Sequence, residues 1–206
     1  QSYFEAKKIA FSIANSPLVK TAIAGEDIAD RSVDNLQSLS ASVPNFMVVE
    51  TQIDTSISIR GVRSGANKGF EQSVPLNFDG ITYPRSQLAR TPLVDLERVE
   101  VLRGPQPTLF GKNAIGGAVS VTSAKPTEEF EGKFSTSHES EHGEDQSLLV
   151  LSGALSDNLL GRLTVSTREM DGWITNTRMN RVEPQRDETY IRGQLAWTAG
   201  DVDYNL

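Results

Sequence analysis

The chain has 206 residues and a mass of 22.5 kDa, which at ~150 residues per domain allows one domain or one and a fraction. It contains no cysteine and two histidines, His138 and His142, which removes disulfide frameworks, thiolate nucleophiles and Cys-based zinc sites and leaves little for a Ser-His-Asp scheme. The net charge of −7 comes with no Lys/Arg cluster, so nucleic acid is not an expected partner.

The first 126 residues mix short helices with short strands. Asp34 and Gln37 have the spacing of a capping box with Asp34 as N-cap, and Leu36, Leu39 and Val43 follow at helical spacing until Pro44 ends the turn. Phe46–Glu50 and Ser56–Arg60 read as strands, the second setting Ile57 and Ile59 against Ser58 and Arg60. Val74–Phe78 is a further strand, turned at Asp79-Gly80. Arg98–Arg103 places Val99 and Val101 opposite Glu100, and a Gly/Pro-rich loop leads to the strand Ala118–Thr122. The whole reads as a compact α+β domain.

The Gly104–Lys112 loop is not a phosphate cradle. Gly104 and Gly111 are seven apart where a P-loop needs five, Asn113 stands where Ser or Thr would meet magnesium, and Pro105 and Pro107 lack the N–H groups such a cradle uses. Its glycines serve tight turns and close backbone packing.

From Phe130 onward the chain reads as successive antiparallel strands. The acids Glu128, Glu129, Glu131, Glu139, Glu141, Glu144 and Asp145 face only Lys133 between residues 127 and 145, and read as a solvated strand and turn. His138 and His142 share a strand face there, read as an exposed strand end, so no metal is expected. Leu159–Glu169 turns Leu159, Leu163 and Val165 one way and Arg162, Ser166 and Arg168 the other. Glu188–Thr198 repeats this, with Ile191, Leu195 and Trp197 against Arg192 and Gln194. Such segments match the ~9–11 residues of a tilted membrane strand, and no apolar run reaches the ~18–20 residues of a membrane helix. Ser156–Asn158 is a tight connection, Met170–Asp187 a long polar one and Ala199–Asp201 tight again, as in outer-membrane barrels. A soluble sandwich also alternates, so strand pattern alone leaves both open.

The run Leu96-Glu97-Arg98-Val99-Glu100-Val101-Leu102-Arg103-Gly104-Pro105, with Thr108-Leu109-Phe110-Gly111 and Ala114-Ile115-Gly116-Gly117-Ala118-Val119, resembles the plug signature of TonB-dependent outer-membrane receptors. Leu36–Pro44 resembles the family's helix before its Val-Pro-Gly, with Asn45 in place of glycine. Ile57-Ser58-Ile59-Arg60-Gly61 matches its Ile-Arg-Gly motif, and Phe78-Asp79-Gly80-Ile81 resembles its Asp-Gly motif. Pro107 replaces a small residue, and Gln1–Lys8 supplies no recognisable TonB box. The resemblance implies an N-terminal segment (1–25), an α+β plug domain (26–126), then antiparallel β-strands of an incomplete transmembrane β-barrel (127–206). A plugged transporter barrel has ~22 strands and needs on the order of 400 residues, so the chain is expected to be the front third of a receptor.

The implied function is energy-coupled uptake across the outer membrane of a Gram-negative bacterium, with the strands against outer-membrane lipid. A scarce extracellular ligand such as a ferric siderophore binds outside, TonB with ExbB–ExbD pulls from the periplasm, and the plug rearranges. No catalytic residue and no cofactor are implied. Arg63, Tyr83 and Arg85 on the outward loops are the expected ligand contacts. Arg60, Glu100 and Arg103 are the expected plug–barrel ion-pairing groups, and Gly61, Asp79, Gly80, Gly104, Pro105, Gly111, Gly116 and Gly117 are expected to shape the plug. The competing reading is a soluble plug-like binding module that transports nothing.

Overall fold

The computed structural model describes residues 20–30, 33–50, 55–64, 71–140, 143–183, 185–199 and 202–205. The chain divides into two units, Gln1–Ala124 and Lys125–Leu206. In chain order the first contains β1 (Lys20–Ala24), α1 (Gly25–Asp30), α2 (Leu36–Ser42), β2 (Phe46–Glu50), β3 (Thr55–Ile59), β4 (Val62–Arg63), β5 (Leu76–Phe78) and β6 (Ile81–Tyr83). A 3-10 turn at Ser86–Arg90, β7 (Leu96–Arg103), α3 (Pro107–Phe110) and β8 (Gly117–Ser123) follow.

The β7–β8 pair organises this unit. Val99 stands opposite Val121 and Val101 opposite Val119, and all four are fully buried. β1 adds to the other edge of β7, while β5 runs parallel to β8 and carries β6, giving the order β1-β7-β8-β5-β6. A second sheet, β2-β3-β4, brings Ile57 and Ile59 into the same core, which Leu36 and Leu39 of α2 also enter. Each such side chain contributes about 1.5–3 kcal/mol on full burial.

Three local expectations shift. The N-cap of α2 is Asn35 and not Asp34: Asn35 Oδ1 accepts the Ser38 N–H at 2.8 Å and Ser38 Oγ accepts the Asn35 N–H at 3.3 Å. Asp34 instead accepts from Ser38 Oγ at 3.1 Å and from the Asn35 side-chain amide at 2.9 Å, bracing the cap from one residue earlier. β3 stops at Ile59 because Arg60 and Gly61, at φ +52° and +80°, form a two-residue turn into β4. β1 and α1 were not anticipated. They include Gly25, where a Cβ would run into the Leu96 carbonyl.

The second unit contains β9 (Glu131–Glu139), β10 (Glu144–Ser156), β11 (Leu159–Met170), β12 (Ile174–Asn176), β13 (Arg181–Glu183), β14 (Arg186–Ala199) and β15 (Val202–Asn205). Its main sheet, β15-β14-β11-β10-β9, is an antiparallel meander that does not close, and β12–β13 form a hairpin within the long connection. The alternation expected for β11 and β14 is present, and its sense is the informative part. Leu163, Val165, Ile191 and Trp197 share one face with Phe134 and Leu149, in register across four strands. On that face Phe134 is 71% exposed, Ile191 66% and Trp197 50%, whereas Thr164 on the other face is 0% exposed and Arg162 8%.

The enclosed face is thus the polar one. Lys125, Thr127 and Glu131 reach it, the Thr127 N–H donating to Ser152 Oγ at 2.9 Å and Arg162 Nη1 donating to the Lys125 carbonyl at 3.3 Å and Glu131 Oε2 at 3.2 Å. Arg168 Nε stands 2.8 Å from Glu144 Oε1 on the same face. Polar inside and apolar outside is the arrangement of a membrane-barrel wall, reversed from that of a water-soluble sheet. No described helix is long and apolar enough to cross a membrane.

Candidate functional site

The register of the first unit gives its central sheet two distinct ends. At one, Leu96 lies beside Ser123, and the chain leaves for the second unit after Ala124. At the other, Arg103 lies beside Gly117, and the long 104–116 loop joins them. Because β5 is parallel to β8, the Asp79-Gly80 turn falls at the exit end, while Tyr83, opposite Leu76 on β6, points the chain back to the loop end.

The β3–β4 turn reaches the loop end as well. A Cβ on Gly117 would lie 2.9 Å from Ile59 Cδ1 and would also strike the Leu102 carbonyl, and Gly117 itself has φ +144°. This position therefore admits only glycine, which accounts for the second glycine of the pair in the recognised motif.

Backbone bonds then tie the loops together. Gly104 N–H donates to the Gly116 carbonyl at 3.1 Å, Gly116 N–H to the Ser73 carbonyl at 3.0 Å, and Gln72 N–H to the Pro84 carbonyl at 2.6 Å. Ser64 Oγ accepts the Ser73 N–H at 2.7 Å and lies 3.1 Å from the Glu71 carbonyl. The strip Glu71–Ser73 consequently has Ser64 on one side and Pro84 on the other. Arg63 and Arg85, each adjacent to one of those residues, are both exposed. Tyr83 is half-buried and sets its ring edge-on to Phe78, centroids 6.4 Å apart.

The same loop end holds groups that sequence reasoning missed. Glu71 pairs with Lys112 at 3.2 Å and accepts from the Asn113 amide, closing the 104–116 loop against the strip. Leu109 and Ile115 stand out from that loop, 72% and 63% exposed. Two guanidinium groups, a tyrosine and exposed aliphatic side chains suit an anionic molecule with an apolar body: the guanidinium fork matches oxyanions, and the apolar groups take the rest.

The expected ion-pairing residues have partners within the first unit. Glu100 accepts from Arg98 Nε at 3.2 Å, and Arg98 also pairs with Glu97. Arg103 Nη2 donates to Thr21 Oγ1 at 2.6 Å, fastening β1 to β7 at the side-chain level. Arg60 is exposed at its turn, its N–H donating to the Asn45 carbonyl at 2.9 Å.

At the exit end Asp79 works as a brace. It sits at φ +49°, accepts the Ser123 N–H at 2.7 Å through Oδ1, and accepts Ser123 Oγ at 2.9 Å through Oδ2. Among the described residues no group of three His, Cys, Asp or Glu side chains could hold a metal. His138 pairs with Asp145 at 2.7 Å across β9 and β10 on an exposed surface, while His142 and Gln1–Lys8 lie outside the described residues.

Comparison with known proteins agrees with this geometry. Residues 12–118 match the TonB-dependent Receptor Plug Domain family. The chain is 31% identical over 172 residues to the iron-regulated outer membrane virulence protein of Vibrio cholerae, covering 77% of this chain and 26% of that protein. It is 28% identical over 173 residues to the pesticin receptor of Yersinia pestis, covering 82% and 25%. Among solved structures, the ferric yersiniabactin uptake receptor FyuA from Yersinia pestis superposes with a TM-score of 0.80 at 26% identity, over 88% of this chain and 29% of that one. The chain spans about a quarter of the length of the curated relatives it matches.

Proposed function

Since the chain belongs to the TonB-dependent receptor plug family, with the outer membrane of a Gram-negative bacterium as its location, we propose that it supplies the plug and first wall strands of an uptake receptor for a ferric siderophore. The observation that carries this reading is the convergence of three loops on the end of the plug sheet away from the chain's exit, with Arg63 and Arg85 exposed on either side of one hydrogen-bonded strip. In this reading the two guanidinium groups pair with the anionic groups of the chelate, and Tyr83 offers it a flat apolar contact.

Coupling would come from TonB, with ExbB and ExbD, drawing on the chain ahead of β1. Arg60, Glu100 and Arg103 would pair with carboxylates and cations of the barrel wall in addition to their contacts within the plug. Exposed pairs contribute only ~0–1 kcal/mol each, so several can seat a domain and still yield to a mechanical pull.

The test is uptake of radiolabelled iron, supplied as a panel of ferric siderophores, by iron-limited cells carrying the full-length receptor. Replacing Arg63 and Arg85 together with Ala should weaken binding of the accepted chelate about a hundredfold, at about tenfold per lost charge-assisted contact. Unchanged affinity would remove these residues from the site, and uptake of cobalamin but of no iron chelate would overturn the ligand class. The reading as a soluble module predicts a folded protein without detergent, and the exposed apolar face of the second unit argues against it.

A further inference from the structure

The outward face of the second unit is not uniformly studded with side chains. Gly153 on β10 stands directly opposite Gly161 on β11, and Gly193 on β14 lies one row further from the Asp157-Asn158 turn, opposite Leu163. Together they floor a groove of about 550 Å³. Leu151 and Leu163 wall it on the side away from the turn, Leu155 on the turn side, Phe130 and Leu195 at its flanks. A volume of this size is in the range of sites that hold a small molecule.

We propose that this groove seats one acyl chain of a phospholipid in the periplasmic leaflet. The inference rests on the membrane reading of the second unit and adds to it a discrete binding position. Glycine inside a strand weakens it and marks a place where another molecule comes close to the backbone. Here three glycines cluster on the outward face, and the neighbouring positions of that face hold Leu151, Leu155, Leu163 and Leu195. Phe130 and Leu155 lean toward them, with Phe130 Cα 3.3 Å from where a Gly153 Cβ would be and Leu155 Cδ1 2.8 Å from that of Gly161. Yet Phe130 remains 80% exposed and nothing stands within 4 Å above Gly193, so the slot stays open along its length.

The chemistry and position of the slot select the occupant. The side chains that rise around it are all apolar. Arg162, whose backbone contributes to the floor, sends its guanidinium to Glu131 and Lys125 on the opposite face. Among the described residues that line it, no other charged side chain is present to recruit a headgroup, a peptide carboxylate or an anionic chelate. Trp197 lies four residues from Gly193 along β14, toward the tight turns, which is roughly 13 Å at ~3.3 Å per residue. Tight turns belong to the periplasmic rim of such barrels, and tryptophan to the interface, so the slot opens on the half of the bilayer where periplasmic-leaflet chains lie.

The experiment uses the full-length receptor in phosphatidylethanolamine vesicles doped with a phosphatidylethanolamine that carries a diazirine near the end of one acyl chain. After illumination, adducts are mapped by mass spectrometry at Leu151, Leu163 and Leu195 around the slot, and at Phe134 and Ile191 on the same face outside it. A seated chain should enrich slot adducts about tenfold over the outside positions, and Gly193→Leu, which fills open space, should bring the ratio to about one. Phe130→Ala, which removes one flank without touching a strand position, should lower the ratio as well and carries the test if Gly193→Leu fails to assemble. Equal labelling inside and outside the slot, unchanged in both variants, would overturn the proposal while leaving the membrane wall intact. Absence of adducts at Phe134 and Ile191 too would overturn the membrane reading itself.

Discussion

Replacing Asp79 separates the two things this aspartate does. Its carboxylate accepts two hydrogen bonds from Ser123, whose residue is 4% exposed, and its backbone occupies the left-handed region at φ +49°. Hydrogen bonds to an ionised acceptor contribute about 1.5–3 kcal/mol each, and buried donors left without it do not regain water. Allowing for rotation of the Ser123 hydroxyl, their joint loss costs about 3 kcal/mol. Placing Ala in the left-handed region adds about 1 kcal/mol, a cost that Gly avoids and Asn largely avoids.

The expected order of destabilisation is therefore Asp79→Ala at about 4 kcal/mol, Asp79→Gly at about 3 and Asp79→Asn at about 1, since the amide still offers an acceptor to the Ser123 N–H. Hydrogen–deuterium exchange on the micelle-bound receptor reads this locally. The amide of Ser123 should exchange about a thousandfold faster in Asp79→Ala and less than tenfold faster in Asp79→Asn. Segments at the loop end, such as 104–116, should keep their rates. Equal effects of Ala and Asn would refute the brace, because Asn keeps the acceptor, the side-chain volume and the tolerance of positive φ that Ala loses. Equal effects of Ala and Gly would remove the backbone contribution alone.

Asn35→Ala should loosen α2 by about 1 kcal/mol, measured as faster exchange of residues 36–39, with Asp34→Ala loosening those residues less because it braces the cap from one residue earlier. In the long connection, Glu183 has its carboxyl held below the usual range by hydrogen bonds from Asn176 and Arg181 and by the Arg181 charge. A lowered folded value means that its contribution to the β12–β13 hairpin is fully present above the unfolded value of about 4.3 and is lost as pH falls through the folded one. Exchange protection of residues 174–183 should accordingly drop as pH falls below about 4.3, and Glu183→Gln should flatten that drop. On the wall, Leu163→Arg should cost about 2–4 kcal/mol in assembly, seen as a lower midpoint of heat-induced mobility change on gels. Gln146→Glu, on the polar face one strand away and directly opposite Arg168, should leave that midpoint unchanged. Raising salt should weaken the Glu71–Lys112 closure by less than about 1 kcal/mol, given that Lys112 is 82% exposed, read as faster exchange of residues 112–114.

What could be read in the chain before any coordinates follows the range of the interactions involved. The alternation of Leu163 against Arg162 is local to β11 and was legible. Which face is enclosed is not local, since the 0% exposure of Thr164 and the 41% of Leu163 come from how the sheet and residues 125–131 are arranged. The capping frame was missed by one residue because Asp34 and Asn35 are both competent caps ahead of the same Leu36 and Leu39. The choice is made by Asn35's extended φ of −152° and by Ser38, which takes up both side chains. β1 offered little signal, Lys-Thr-Ala-Ile-Ala being short with one large apolar residue, and its partner lies far along the chain. Glu71 with Lys112 is invisible for the same reason. In contrast, the Asp79-Gly80 turn announced itself, because a two-residue hairpin turn with positive φ at both positions restricts which residues serve, whereas Arg60, at φ +52°, read as the end of a strand.

The two ends of the plug sheet are secured by different means, and that difference bears on how a ligand at one end could be sensed at the other. The loop end is joined mainly by backbone bonds that cross three loops, through Ser73, Gln72 and Gly116. The exit end depends on a side chain, Asp79, holding the last residue of β8 before the chain departs. Both sets of bonds bear on β8: Gly116 immediately precedes it and Ser123 ends it. Its centre, Val119 and Val121, is packed at 0% exposure between β7 and β5, and close-packed interiors have low compressibility and transmit strain. A displacement of the 71–73 strip therefore reaches the exit through one short strand. The Asp79 brace, being the contact a single substitution can remove, is the place where that transmission can be cut without disturbing the loop end, where the proposed contacts Arg63, Tyr83 and Arg85 lie.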